Sequence, residues 1–237
     1  MTLSSVQANS LYTVYEVWKG WDNLFYYSSE DANYFIGETN GLRIHGGDVL
    51  EIGFGAGNFL AWAREQGARV AATEINPTLI QAARDEGVEI LPYTIELIAE
   101  DYSEHFDTIV AFDVFEHFEI AELVSRLKAC ETMLKPGGHL LMRFPNGQSP
   151  FGLISQNGDA THRSSLSRQI IEQLTIGMRL RPVRYAPSFR VEHTGSWIRY
   201  VVRKLRYTAR SLISVTLNAV YGSNIPWDPV VVLILEK

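Results

Sequence analysis

The sequence predicts an α/β protein built on a doubly wound parallel sheet. Three observations carry that prediction. Short apolar runs alternate with helical patterns from residue 48 to residue 145. The first run turns through closely spaced glycines into a helix, in D-V-L-E-I-G-F-G-A-G-N-F-L at 48–60. The second run closes on an acidic residue, Glu74, about 20 positions past the glycines.

Each element has its own local reason. Val49 to Ile52 is a short buried strand, and the helix after it opens near Asn58 and ends at Gly67. Arg69 to Thr73 is the second strand; Asn76-Pro77 starts a helix over Thr78 to Glu86. Val88 to Leu91 is a third strand and Phe106 to Phe112 a fourth. Ala121 to Leu134 is an amphipathic helix stopped by K-P-G-G, and His139 to Phe144 is strand five. Beyond it the pattern predicts a helix over Leu166 to Ile176 and a strand over Pro182 to Phe189. A long helix over Trp197 to Tyr221 and a final strand over Pro229 to Leu235 complete the chain. The long helix is thus an insertion before the last strand. A further helix is expected among Tyr12, Tyr15 and Trp18, in an aromatic segment suited to cover a pocket.

Bulk numbers exclude several classes. Charged residues at 20% and hydrophobic ones at 46% suit a globular protein, and 237 residues suit one domain. We divide it into an aromatic cap over 1–45, a cofactor core over 46–145 and a substrate side over 146–237. Cys130 is the sole cysteine, which excludes an internal disulfide framework. With no signal-peptide pattern and no apolar run of about 20 residues, a cytoplasmic protein is expected. Residues 1–162 carry 9 Lys+Arg against 23 Asp+Glu, whereas residues 163–237 carry 12 against 4. Those two surfaces attract each other within one fold, or the basic tail faces an anionic partner.

The glycine loop spaces its residues G-x-G-x-G, with Asn58 where a dinucleotide fingerprint needs its third glycine. Glu51, just before it, would repel a pyrophosphate but could serve an ammonium group. Glu74 stands where an acidic residue accepts hydrogen bonds from ribose hydroxyls. E-I-G-F-G-A-G resembles the first motif of the class I S-adenosylmethionine-dependent methyltransferases. F-D-T-I-V-A-F-D-V-F-E-H resembles a group that includes quinone-biosynthesis and natural-product O-methyltransferases, and L-K-P-G-G-H-L-L-M is a third companion motif. The resemblance implies a Rossmann-like seven-stranded sheet with the last strand antiparallel. It implies S-adenosylmethionine as cofactor, held by Glu51, Gly53, Gly55, Gly57, Glu74 and Ile75, with Phe112, Asp113 and Val114 on its methionine side. The usual polar partner for the adenine has no match among Thr94, Ile95 and Glu96.

G-D-A-T-H-R at 158–163 resembles a segment of methyltransferases linked to bacterial cell-surface polysaccharide biosynthesis. It makes Asp159, His162 and Arg163 acceptor-site candidates, with Asn146 after strand five as another. His117 and His162 are the candidate general bases, since imidazole titrates near neutrality. No His or Cys pair lies at ligand spacing, so no metal is expected. The reading is methyl transfer to a sugar or other small-molecule hydroxyl. Its rival is a non-catalytic, methyltransferase-like cofactor-binding module acting through its basic helix. That helix, 197–221, suits a pocket cover, a homodimer contact or an anionic membrane surface. No nucleic-acid module is present.

Overall fold

The computed structural model describes residues 19–21, 23–192 and 196–237. The helix expected among Tyr12, Tyr15 and Trp18 lies outside the described residues. The first full element is α1, Ser29–Glu38, which the sequence reading did not assign. Its signal was a capping box: Ser28 Oγ accepts from the Asp31 N–H at 3.1 Å, and Asp31 accepts from the Ser28 N–H at 2.9 Å.

Alternation then proceeds as expected. β1 (Asp48–Ile52), α2 (Asn58–Glu65), β2 (Arg69–Thr73), α3 (Pro77–Asp85) and β3 (Glu89–Ile90) lead to β4 (Phe106–Phe112) and α4 (Ile120–Met133). β5 (Leu134–Pro145), α5 (Leu153–Asn157), α6 (Arg168–Leu174), β6 (Arg181–Pro187), α7 (Trp197–Tyr221) and β7 (Val230–Glu236) follow. The sheet runs β3-β2-β1-β4-β5-β7-β6, with β7 antiparallel to both its neighbours.

Several boundaries differ from expectation, and one element was not expected. β5 pairs from Leu134 onward, because K-P-G-G bulges out between the Phe106–Leu134 and Thr108–His139 pairs and does not end the strand. α6 begins only at Arg168, where Ser167 accepts from the Ile170 N–H. The stretch after β5 folds a short helix, α5, that its Gly/Ser/Asn content concealed.

Both faces of the sheet's centre are covered, so β1, β4 and β7 are buried on both sides, whereas the edge strands β3 and β6 are partly exposed. Leu50, Ile52, Ile109 and Ala111 point to one core, and Val49, Val110 and Leu141 to the other, as period two dictates. Burying each of these larger side chains stabilises by about 1.5–3 kcal/mol. Cys130 lies in the first core, where burial pushes its thiol up to about 12. The acidic and basic halves do meet: Arg184 pairs with Glu38 at 3.1 Å and Arg203 with Glu30 at 2.9 Å. α7 buries none of its residues and is held through its cationic side. No described helix is long and apolar enough to cross a membrane.

Candidate active site

β1 and β4 are neighbours, and the chain leaves them in opposite directions across the sheet. Their carboxyl ends therefore open a crevice at the topological switch point. A cavity of about 420 Å³ occupies it, lined among others by Glu51, Gly53, Gly55, Glu74, Asp113 and Arg143. Ile75, Phe112, Val114 and His117 also line it.

The glycine turn shapes the floor. Gly53 has φ +66°, and a Cβ there would sit 2.8 Å from Val114 Cγ2, so the turn and the β4 loop are in direct contact only because Gly53 lacks one. Gly55 gives its N–H to Glu74 Oε2 at 3.2 Å. Gly57 heads α2 in the left-handed conformation, against the Phe25 ring, and is not itself among the residues that line the cavity.

Two carboxylates stand side by side above this floor. Glu74 accepts from the N–H groups of Ile75 at 2.7 Å and Asn76 at 3.1 Å as well as from Gly55. Burial raises its pKa against the pull of those three donors. Glu51 is only 3% exposed, and its Oε2 has no hydrogen-bond partner among the described residues. Burial, then the charge of Glu74, pushes its carboxyl well above the ordinary range. An orphaned buried carboxylate oxygen facing a cavity suits a cationic guest. The site thus fits the ammonium and ribose ends of S-adenosylmethionine, at Glu51 and Glu74 respectively.

The sequence reading missed the far wall. Arg143 pairs with Phe112 across β4 and β5, which brings it beside Asp113. It forms a two-pronged ion pair with Asp113 and donates to Tyr34 Oη at 2.8 Å. Burial pushes the Tyr34 phenol up to about 12. The available signal was register: a cation at the end of β5 must neighbour the end of β4. Lys19, Trp21 and Tyr93 also line the cavity.

The candidate catalytic residues cluster around His117. His117 lines the cavity, and its ring meets His162 edge to face at 4.7 Å. Burial, then the charge of His162, lowers His117 to about 4. His162 Nε2 lies 3.8 Å from Glu116 and 4.0 Å from Asp159, but neither His162 nor Asp159 lines the cavity. Asp159 accepts from the Thr161 N–H at 2.9 Å and hydroxyl at 2.5 Å. Arg163 pairs with Glu119 at 3.2 Å, at the surface. Asn146 is not at the cavity: its amide donates to the carbonyls of Pro226 and Asp228, bracing the chain before β7. Sequence spacing showed no metal-ligand pair, yet the fold gathers Glu116, His117 and His162 so that one ligand atom from each lies within 4.8 Å of the others.

Comparison with known proteins identifies the family and the fold. A family model described as a methyltransferase domain matches residues 30–197. A ubiquinone biosynthesis O-methyltransferase of Xanthomonas euvesicatoria pv. vesicatoria is 30% identical over 107 residues, 43% of this chain and 44% of that protein. The chain spans about half the length of the curated relatives it matches. A crystal structure of a SAM-dependent methyltransferase from Archaeoglobus fulgidus superposes with a TM-score of 0.63 at 17% identity, covering 95% of this chain and 99% of that one. The 1,6-didemethyltoxoflavin-N1-methyltransferase of Burkholderia thailandensis, solved with S-adenosylhomocysteine, gives 0.59 at 15% identity, covering 100% and 92%. These two likenesses concern the fold. The family match spans most of the chain, from α1 to the start of α7 and across the whole glycine cradle. The chain belongs to the methyltransferase-domain family, on the seven-stranded fold of the class I S-adenosylmethionine-dependent enzymes.

Proposed function

We propose that this chain transfers a methyl group from S-adenosylmethionine to a hydroxyl of a sugar or related small molecule, in bacterial cell-surface polysaccharide or secondary metabolism. The observation that carries the cofactor half is the unpaired Glu51 Oε2 beside Glu74 on one cavity. Bound S-adenosylmethionine supplies an activated, electrophilic methyl group. The chain's part is alignment: Glu51 pairs with the ammonium and Glu74 accepts from the ribose hydroxyls. Val114 and the Asp113–Arg143 pair wall the methionine end. Holding donor and acceptor in line accounts for several kcal/mol of barrier, on the order of the effective-molarity gain.

The oxygen acceptor rests on the O-methyltransferase relatives and on His117, which lines the cavity with His162 packed against it. His117, with His162 and Asp159 around it, handles the acceptor's hydroxyl proton. G-D-A-T-H-R supports a glycan acceptor, and we read the protein as cytoplasmic. A second observation bears on where that acceptor sits. Trp197, Ile198, Val201, Leu205, Leu212 and Val215 expose one apolar stripe of α7, and 197–221 contains no Asp or Glu. That pattern supports docking on an anionic lipid surface, which suits a lipid-linked acceptor.

Calorimetric titration with S-adenosylmethionine and S-adenosylhomocysteine, followed by methyl-transfer assays on sugar and phenolic hydroxyl acceptors, tests the reading. Micromolar cofactor binding with transfer to a hydroxyl is expected. Cofactor binding without transfer to any hydroxyl or amine would favour a non-catalytic module, and no binding at all would refute both.

A further inference from the structure

Beside the cavity lies a donor cluster whose arrangement alignment alone does not require. Glu116 is fully buried, and neither of its carboxylate oxygens has a hydrogen-bond partner among the described residues. A buried carboxylate without donors is costly unless a cation or a proton joins it. Two imidazoles stand beside it, each with its outer nitrogen hydrogen-bonded. His162 Nδ1 lies 2.9 Å from the Gln156 carbonyl, which only accepts. Nδ1 therefore carries the hydrogen, and the neutral ring keeps its lone pair on Nε2, the atom 3.8 Å from Glu116 Oε1. Thr161 spends its single hydroxyl proton on Asp159 at 2.5 Å, so its oxygen accepts from His117 Nδ1 at 2.9 Å. The His117 lone pair is thereby also left on Nε2. Outer hydrogen bonds of this kind fix the tautomer and orientation of metal-bound histidines. Asp159 is matched separately, by Lys19 Nζ at 3.7 Å.

We propose that Glu116, His117 and His162 form a site for a divalent first-row transition metal ion. Two imidazole nitrogens and one carboxylate suit such an ion, and three protein ligands leave a position open. One ligand atom from each residue already lies within 4.8 Å of the others. Small rotamer adjustments bring such atoms to the roughly 3.3 Å separation that bonds of about 2.0–2.1 Å imply. His117 lines the cavity, so the cluster borders the space in which cofactor and acceptor would meet. An oxygen bound to the ion becomes more acidic, as metal-bound water does when its pKa drops to near 7. With the ion bound, His117 is a ligand and the ion replaces it as the group that acts on the acceptor: the acceptor oxygen gains the methyl carbon, the electron pair of the broken carbon–sulfur bond stays with sulfur, and the hydroxyl proton leaves to water. This use of the ion rests on the methyl transfer proposed above; the binding of the ion does not.

The test strips the full chain with a chelator, removes the chelator and titrates with Zn²⁺ and Co²⁺. One ion per chain, visible Co²⁺ absorption bands and a raised thermal midpoint are expected. E116Q and H162Q should each weaken binding at least tenfold, while their S-adenosylmethionine titrations stay within twofold of wild type and show them folded. His45→Gln, whose ring meets the Gln66 carbonyl elsewhere, should bind the ion like wild type. Wild-type protein that takes up no stoichiometric ion, or E116Q and H162Q that bind it as tightly as wild type, would overturn the site. Ion binding retained by a protein that ignores S-adenosylmethionine would leave the site standing and remove the methyl-transfer reading instead.

Discussion

The N–H of Gly55 donates to Glu74 at 3.2 Å, which ties the turn after β1 to the carboxylate that closes β2. The same carboxylate gathers the Ile75 and Asn76 N–H groups, so it is fixed before any ligand arrives. Such preorganisation lowers the ordering cost of binding. Glu74→Ala is expected to weaken S-adenosylmethionine binding by about 10–100-fold, the worth of one or two hydrogen bonds to a charged group. Glu74→Asp should fall between, since it keeps the charge but shortens the reach. Calorimetry on the two variants checks the order; equal affinity of Glu74→Ala and wild type would remove the ribose role.

Glu51 links binding to pH. Its carboxyl is raised by burial and by Glu74, with Arg143 opposing. A carboxyl raised in the fold helps stability at low pH. That help is lost as pH climbs from about 4.3, where the unfolded chain ionises, through the raised folded value. The cofactor-free protein should therefore lose stability as pH rises above about 4.3, and a bound ammonium should restore it. Glu51→Gln should melt higher than wild type at pH 7 without cofactor, yet bind S-adenosylmethionine at least tenfold more weakly. Melting curves across that range, with and without ligand, decide; identical pH slopes for the two proteins would refute the assignment.

Elements with a local cause were legible in the sequence. β1, β2, β4 and α7 fall within a residue or so of expectation because apolar periodicity and caps act over short distances. Glu51, Gly53, Glu74 and Asp113 were legible because the strand–turn–helix unit fixes them locally. Arg143 and Glu116 were not. Their roles arise where strand ends and the 158–163 loop meet, and no spacing along the chain encodes that meeting. α1 was missed for another reason: its capping box was overlooked among aromatic residues that suggested a lid.

Gly53 gives a stability prediction. A left-handed φ costs an L-residue roughly 1–2 kcal/mol, and the new methyl would also meet Val114 Cγ2 at 2.8 Å. Gly53→Ala should lose about 2–3 kcal/mol by denaturant titration. Adding Val114→Ala should return the steric part but not the backbone part. A double variant as stable as one carrying Val114→Ala alone would show that φ strain is negligible there.

The amino edge of the sheet should govern acid stability. Lys135 reaches Asp48 at 2.7 Å and Asp107 at 2.8 Å from the K-P-G-G bulge. The Arg69 hydrogen bond, with Lys135, holds Asp48 down at about 2. Burial opposes the Asp107 charge, but the Asp48 N–H and Lys135 outweigh it and keep its pKa low. Carboxyls depressed in the fold add stability above about 3.9 that disappears as pH falls toward 2. Lys135→Met should cost about 1 kcal/mol at pH 7, given the partial exposure of the pair, and flatten the acid limb. An unchanged acid titration would contradict the linkage.

α7 separates the proposed lipid surface from a partner protein. Its cationic side is engaged, with Arg203 on Glu30 and Arg210 near Asp228, so the apolar stripe turns outward. Leu205 is 66% exposed and Trp197 76%. Burying such a stripe at the headgroup boundary gains about 25 cal/mol per Å², and Arg199, Lys204 and Arg206 can add attraction to anionic headgroups. The protein should therefore sediment with vesicles containing phosphatidylglycerol and much less with phosphatidylcholine alone, and salt should weaken the difference. Leu205→Asp should cut that binding about tenfold while leaving cofactor affinity unchanged, because no residue of α7 lines the cavity. If the stripe instead joins two copies, wild type will elute as a dimer, Leu205→Asp as a monomer, and neither will follow the vesicles.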